Sequence, residues 1–416
     1  MRRLIKAIIS RKNFILYTFL KASVMLLTLI TNIFIVRELS VNDFGTFSIA
    51  FMLTGLITSF GFKWSSSSIL YFGSKERLEY GNINKTFWSR NIIIAFSLLM
   101  MTILFIIFSE EINNYIGQDL AYLVLMWLYV SVIEDYLNQY YLAVKRQILS
   151  SMLSITAKVI YILLIITFPL DVKTLIILNI ISHATVIAYI FGINKNDIGR
   201  FEFDRKWFKE ILNFSIWQLF GFSGIYLINF GDVAVIKFFM TTEDVGIYNA
   251  AYKLFNAIAS FGFVITSYYA SSVSSYFASE HRSKVSKFFY RERIFIFSLS
   301  TLAHVVVILF SKPIIFTLYG EKYSESVSIF AILMVGSIFR YLSIFYMLFY
   351  NTNGKHKIQQ IINIFTAVLN LILDIVFINI FGLIGPAIAT VTAMFTSLLI
   401  SFIYCERKII NFIKVR

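Results

Sequence analysis

The chain has 416 residues and a formal net charge of +14; 58% of the residues are hydrophobic, 14% are charged, and the mean hydropathy is +0.76. Ordinary soluble domains carry roughly 25% charged residues, so these values exclude a soluble globular protein and require a polytopic membrane protein. With only 3 prolines to break them, the apolar runs reach helix length and lack strand alternation, which excludes a barrel and leaves helices to satisfy the backbone in hydrocarbon.

Twelve runs read as spans: 14–36, 44–64, 91–108, 120–143, 148–168, 173–193, 211–239, 245–273, 294–310, 327–351, 358–381 and 384–405. The opening "MRRLIKAIISRKNFILYTFLK" has a basic start but no small-residue cleavage site, and it reads as a retained first helix. Lys and Arg crowd every second connection, from Arg2, Arg3 and Lys6 through Lys145 and Arg146 to Arg407 and Lys408, whereas the opposite side has only Arg37, Lys173, Lys312 and Lys322. The positive-inside bias then puts both termini in the cytoplasm. It also accounts for the +14 charge as topology and contact with anionic lipid rather than nucleic-acid binding. The lone Cys405 excludes an intramolecular disulfide.

The second and eighth spans open alike. "SVNDFGTFS" (40–48) and "TTEDVGIYN" (241–249) begin a 23-residue match with nine identities, ending in a shared "SFGF". Ser40 and Thr241 are expected N-caps, with Asp43 and Asp244 three residues on, and Gly45 and Gly246 should let a neighbouring helix approach closely. Six spans lie between the copies, and an even number preserves orientation, so the repeat is parallel: two six-helix lobes related about the membrane normal. The expected divisions are an N-terminal lobe (1–193), a cytoplasmic linker (194–210) and a C-terminal lobe with a basic tail (211–416). The linker contains "FEFDRKWFKE" and reads as an interfacial helix.

These features resemble a known family. "LSVNDFGTFSIA" (39–50), "MTTEDVGIYNAAYKL" (240–254) and "NTNGKHKIQQIINIFTAVLNLILDIVFINIFGLIGPAIAT" (351–390), with the basic N-terminus and twelve spans, are similar to Wzx-type O-antigen and capsule flippases of the multidrug, oligosaccharidyl-lipid and polysaccharide exporter superfamily. The resemblance implies an all-α, MATE-like fold around a central cavity in a bacterial inner membrane. It implies movement of undecaprenyl-diphosphate-linked oligosaccharide from the cytoplasmic to the outer leaflet for surface polysaccharide export. A polysaccharide polymerase and chain-length machinery are the implied protein partners. The family tends to carry basic residues on the first, second, seventh and eighth spans, where this chain has Lys21, Lys63, Lys237 and Lys253.

A charge in hydrocarbon is costly, so it faces a wet interior or a partner. Candidates for a substrate cavity are Lys21, Lys158, Lys253, Arg340, Glu134, Asp232 and Asp374. Two readings stay open: a cationic cavity for diphosphate, which Arg can hold bidentately, or ion pairs of these cations with Glu134, Asp232 or Asp374 that fix packing. Lys63 and Lys237 lie near span ends where lysine snorkels. Glu134 and Asp135 are adjacent and must point to different faces. His183 and His304 read as hydrogen-bonded packing residues. "WSSSS" (64–68) and "SSVSS" (271–275) read either as a polar entrance or as close helix contacts.

An enzyme is not expected. The outer loops are short, and Cys/His clusters, a Walker loop and a G-x-S-x-G element are missing from the sequence. No cofactor is expected beyond a coupling ion, H⁺ or Na⁺. The alternative function is an ion-coupled multidrug or organic-cation antiporter of the same superfamily, which Asp232 and Asp374 would serve.

Overall fold

The computed structural model describes residues 2–193, 200–352 and 355–414, and among them the regular structure is helical throughout. In chain order the helices are α1 (Arg2–Glu38), α2 (Val41–Gly61), α3 (Ser66–Tyr80), α4 (Asn84–Ile107), α5 (Ser109–Ile116), α6 (Ala121–Ala143), α7 (Gln147–Thr167) and α8 (Val172–Ile193). They continue with α9 (Arg205–Phe239), α10 (Thr242–Ala278), α11 (Arg282–Lys287), α12 (Arg293–Leu309), α13 (Ser311–Tyr319), α14 (Ser326–Thr352), α15 (His356–Phe381) and α16 (Gly385–Lys414). Twelve of these, α1, α2, α4, α6 to α10, α12 and α14 to α16, correspond to the twelve expected spans. By length and apolarity, eight helical stretches among the described residues could cross a membrane, or nine if α5 and α6, which meet at a 94° bend, form one span; α9 and α10 are not among them.

The chain divides into two compact units, Met1–Leu39 with Ile49–Phe222, and Ser40–Ser48 with Ser223–Arg416. The first turns of α2 therefore belong with the second unit, and the helix starts explain why. Asp43 N donates to Ser40 Oγ at 3.0 Å, and Ser40 Oγ donates to Asp43 Oδ2 at 2.7 Å. Thr241 and Asp244 form the full capping box, which satisfies two amides that a helix start leaves orphaned. The two capped starts then cross. A Cβ on Gly45 would fall within the van der Waals sphere of the Thr242 carbonyl oxygen, and one on Gly246 within that of Val41. Asn249 Nδ2 donates to Ser48 Oγ at 2.6 Å. Val41 and Thr242, Gly45 and Gly246, and Ser48 and Asn249 are three pairs at the same spacing of 201. Each copy thus touches the other through equivalent residues, the pattern of a two-fold contact.

Several expectations are corrected. The linker 194–210 does not form a separate interfacial helix among its described residues. Asp204 accepts from the amides of Lys206 (2.9 Å) and Trp207 (3.1 Å), and the helix that it caps runs on unbroken as α9. Those amides also hold the Asp204 carboxyl below the usual carboxylate range. The span 44–64 ends earlier, at Gly61, and after a 3-10 turn the chain resumes as the unexpected α3. Within "WSSSS", Ser65 Oγ and Ser68 Oγ donate to the carbonyls three residues earlier, of Phe62 and Ser65, at 3.1 and 2.6 Å, which favours close contact over an entrance. The connection 311–326, the longest of those expected on the outer side, is structured by α13 and a 3-10 turn at Glu321–Tyr323.

Candidate functional site

In the second unit, four helices bring polar side chains to one dry point. Asp232 on α9 and Asp374 on α15 are 2% and 0% exposed. Asn370, one turn before Asp374, donates from Nδ2 to Asp232 Oδ1 at 3.0 Å and to Asp374 Oδ2 at 2.7 Å. Thr390 on α16 donates to Asp232 Oδ2 at 2.8 Å, and Tyr248 on α10 donates to the same oxygen. Asp374 Oδ1 is buried without a hydrogen-bond partner. Two carboxyls sharing one amide, with an orphaned acceptor, repel each other in low dielectric unless a positive charge or a proton joins them. The lone pairs that could face a cation here belong to carboxyl and hydroxyl oxygens, which suits a hard monovalent cation or a proton. Among the described residues there is no cluster of three His, Cys, Asp or Glu side chains, so the ligand sets of zinc are not formed.

Among the described residues Arg340 forms no ion pair with these acids, contrary to the pairing expected as one reading. Its guanidinium on α14 stands 5.5 Å from the Phe263 ring centroid, a cation–π contact. It lines a cavity of ≈280 Å³ together with Ser343, Asn363, Thr366, Asn370 and Ser397. Lys253 is half-buried on α10. Lys237 Nζ donates to Thr242 Oγ1 at 2.9 Å at the end of α9, in keeping with snorkelling.

In the first unit, Glu134 on α6 gathers three of the expected residues. His183 Nδ1 on α8 lies 2.6 Å from Glu134 Oε2, while Lys21 on α1 and Lys158 on α7 both act electrostatically on Glu134. Two lysines and a histidine thus lie within electrostatic range of one carboxylate, so basic side chains outnumber acidic ones in the cluster. Asp135 turns elsewhere, accepting from Ser66 Oγ at 3.0 Å. Ser66 in turn accepts from Arg90 at 3.1 Å. Arg90 is 2% exposed, although its position at a basic connection marks it as a surface residue. His304 is a packing residue, with Nδ1 2.7 Å from Ser300 O and Nε2 2.8 Å from Ser337 Oγ.

A search for charges overlooks Asn370, Thr390 and Tyr248, because all three are uncharged. The available signal was Asn370 and Asp374 at i and i+4, two polar groups on one face of an otherwise apolar helix.

Residues 10–270, more than half of the chain, match the family model described as polysaccharide biosynthesis protein. The chain belongs to that family. Residues 216–376 match the MatE family. The chain is 22% identical over 369 residues, 86% of its length and 75% of the relative's, to the probable low-salt glycan biosynthesis flippase Agl15 of Haloferax volcanii. Among solved structures it resembles the lipid II flippase MurJ in an inward closed conformation, with a TM-score of 0.66 at 18% identity, covering 96% of this chain and 90% of that one. It also resembles an inward-facing multidrug resistance MATE transporter of the MOP superfamily, with a TM-score of 0.71 at 16% identity, covering 94% and 96%. These likenesses show the all-α exporter-superfamily fold in a multi-pass membrane protein.

Proposed function

We propose that this member of the polysaccharide biosynthesis family is a flippase that carries undecaprenyl-diphosphate-linked oligosaccharide from the cytoplasmic to the outer leaflet by alternating access. Both termini lie in the cytoplasm of a bacterial inner membrane, and the exported units feed a polymerase and its chain-length machinery. It works as a transporter rather than a catalyst. The observation that carries this reading is the gathering of Lys21, Lys158 and His183 around the single carboxyl of Glu134 inside the first unit. A diphosphate is the anion that two lysines can hold as mobile point charges, while Glu134 keeps them from standing unmatched when the anion has gone. The similarity to Agl15, a probable low-salt glycan biosynthesis flippase, supports a glycan as the cargo.

The acid pair Asp232 and Asp374 supplies the driving force in this reading. A cation, H⁺ or Na⁺, would neutralise the repulsion of the two carboxyls when bound. The chain's own residues set its place: Asn370 and Thr390 fix the carboxyl orientations and leave Asp374 Oδ1 free to accept. The second reading, an ion-coupled organic-cation antiporter, is favoured by this same acidic pair and by the MatE match over 216–376.

Complementation of a polysaccharide-export mutant tests the choice. Wild-type protein should restore surface polysaccharide, and Lys158→Ala and Asp374→Asn at matched membrane abundance should each lose it. Export of a cationic dye with no polysaccharide restored would overturn the flippase reading in favour of the antiporter.

A further inference from the structure

Three helices of the second unit each turn a polar stripe toward one cavity. On α15 it comprises Gln359, Asn363, Thr366 and Asn370, spaced three or four residues apart on one face. On α14 it is Arg340 and Ser343, and on α16 Ser397 and Ser401. Together they line a volume of ≈280 Å³. Amides and hydroxyls on facing membrane helices either hydrogen-bond to one another across the contact or line a path, and here a cavity separates the rows. Such rows are expected where water or an ion passes.

The seam joins the buried acid pair to an exposed end of α15. At one end is Asn370, whose amide holds both Asp232 and Asp374. At the other is Gln359, within a turn of the exposed Lys355 and Lys357. Along α15 this is about 16 Å at the rise of an α-helix. Arg340 stands on the wall between, and Tyr252 lies in electrostatic range of Arg340 and of both acids.

We propose that this cavity is the route by which the coupling cation reaches and leaves the acid pair, and that Arg340 is a gating residue whose fixed charge keeps the route from retaining the cation. The inference rests on the cation reading of Asp232 and Asp374. A unit charge across an interhelical spacing of roughly 10 Å, at an effective dielectric of about 20, changes the occupancy of a nearby cation by roughly tenfold. The guanidinium thus confines binding to the dicarboxylate, where two negative charges outweigh it, and hastens release once the cation has left them.

The experiment uses full-length protein in nanodiscs and follows ²²Na⁺ binding at equilibrium and its dissociation by isotope exchange. A parallel arm in sodium-free buffer follows proton uptake after a pH jump. Arg340→Gln should tighten cation binding by roughly tenfold and slow release by a similar factor. Thr366→Phe, which fills the seam, should slow exchange at least about tenfold while the equilibrium affinity stays within about twofold. Because Thr366→Phe could unfold the bundle, Thr366→Cys in a Cys405→Ser background gives a second measure: a water-soluble thiosulfonate should label it, and saturating cation should leave the labelling unchanged. Wild-type exchange rates in both Arg340→Gln and Thr366→Phe, or an unreactive Thr366→Cys, would overturn the route while leaving the acid pair as the cation site. If wild-type protein takes up neither ²²Na⁺ nor protons in a manner abolished by Asp374→Asn, the cation reading itself fails and the route falls with it.

Discussion

The crossing of the two repeated helix starts gives a prediction whose size follows from the atoms involved. Gly246→Ala introduces a Cβ that overlaps the Val41 carbonyl oxygen and stands 3.1 Å from Gly45 N. The obstructing atoms belong to helix backbone, so they cannot rotate away as a side-chain end would. Overpacking of a tight contact costs about 1–3 kcal/mol, and the upper part of that range applies here. Alanine returns about 1 kcal/mol through its better helix propensity, which leaves a net loss of about 1–2 kcal/mol. Gly231→Ala is the control: its Cβ would meet only Leu371 Cδ1 at 3.8 Å, an ordinary contact, so propensity should make it neutral or slightly stabilising. The molecule contains its own reporter, because Cys405, the single cysteine, is 0% exposed and lies in the same unit. A thiol-reactive dye should therefore label detergent-solubilised protein only as it unfolds, and at lower temperature for Gly246→Ala and Gly45→Ala than for wild type. The double variant should lose less than the sum, because both substitutions push the same two backbones apart. Equal labelling temperatures for Gly246→Ala, Gly231→Ala and wild type would show that the crossing is not tight and refute the reasoning.

Two further outcomes follow from named contacts. Arg293 and Glu406 form a buried ion pair at 2.6 Å, with Tyr346 and Tyr290 also donating to the carboxylate at 2.7 and 3.0 Å. Glu406→Gln or Arg293→Met alone should cost about 3–5 kcal/mol by stranding the other charge, whereas the double variant should recover most of it; a double variant as unstable as the worse single one would contradict this. For topology, cysteines replacing Ser324 and Asn113 in a Cys405→Ser background should react with an impermeant reagent outside intact cells. One replacing Ser283 should not, and external labelling at Ser283 would reject the twelve-span orientation.

Much of the fold was legible in the sequence because the bilayer enforces it. Hydrocarbon leaves an apolar run of about 20 residues no option but a helix, and the Ser40–Asp43 and Thr241–Asp244 pairs marked two helix starts where capping is now seen. The duplication, too, was readable from nine identities at one spacing. Partners were not. Each charged residue could be placed at a depth, but its direction depends on how its helix is rotated, and in lipid that rotation is set by packing against neighbours rather than by a contrast between apolar and polar faces. Hence Asp232 and Asp374, which an electrostatic reading would give to Arg340 or Lys253, meet each other through the uncharged Asn370. Glu134 finds His183 while its neighbour Asp135 finds Ser66. The sequence alone determined that charges sit deep in particular helices, since the energy of burying them depends on depth; only the tertiary structure decided which of them face one another, since that depends on the side-by-side contact of helices whose apolar surfaces are alike.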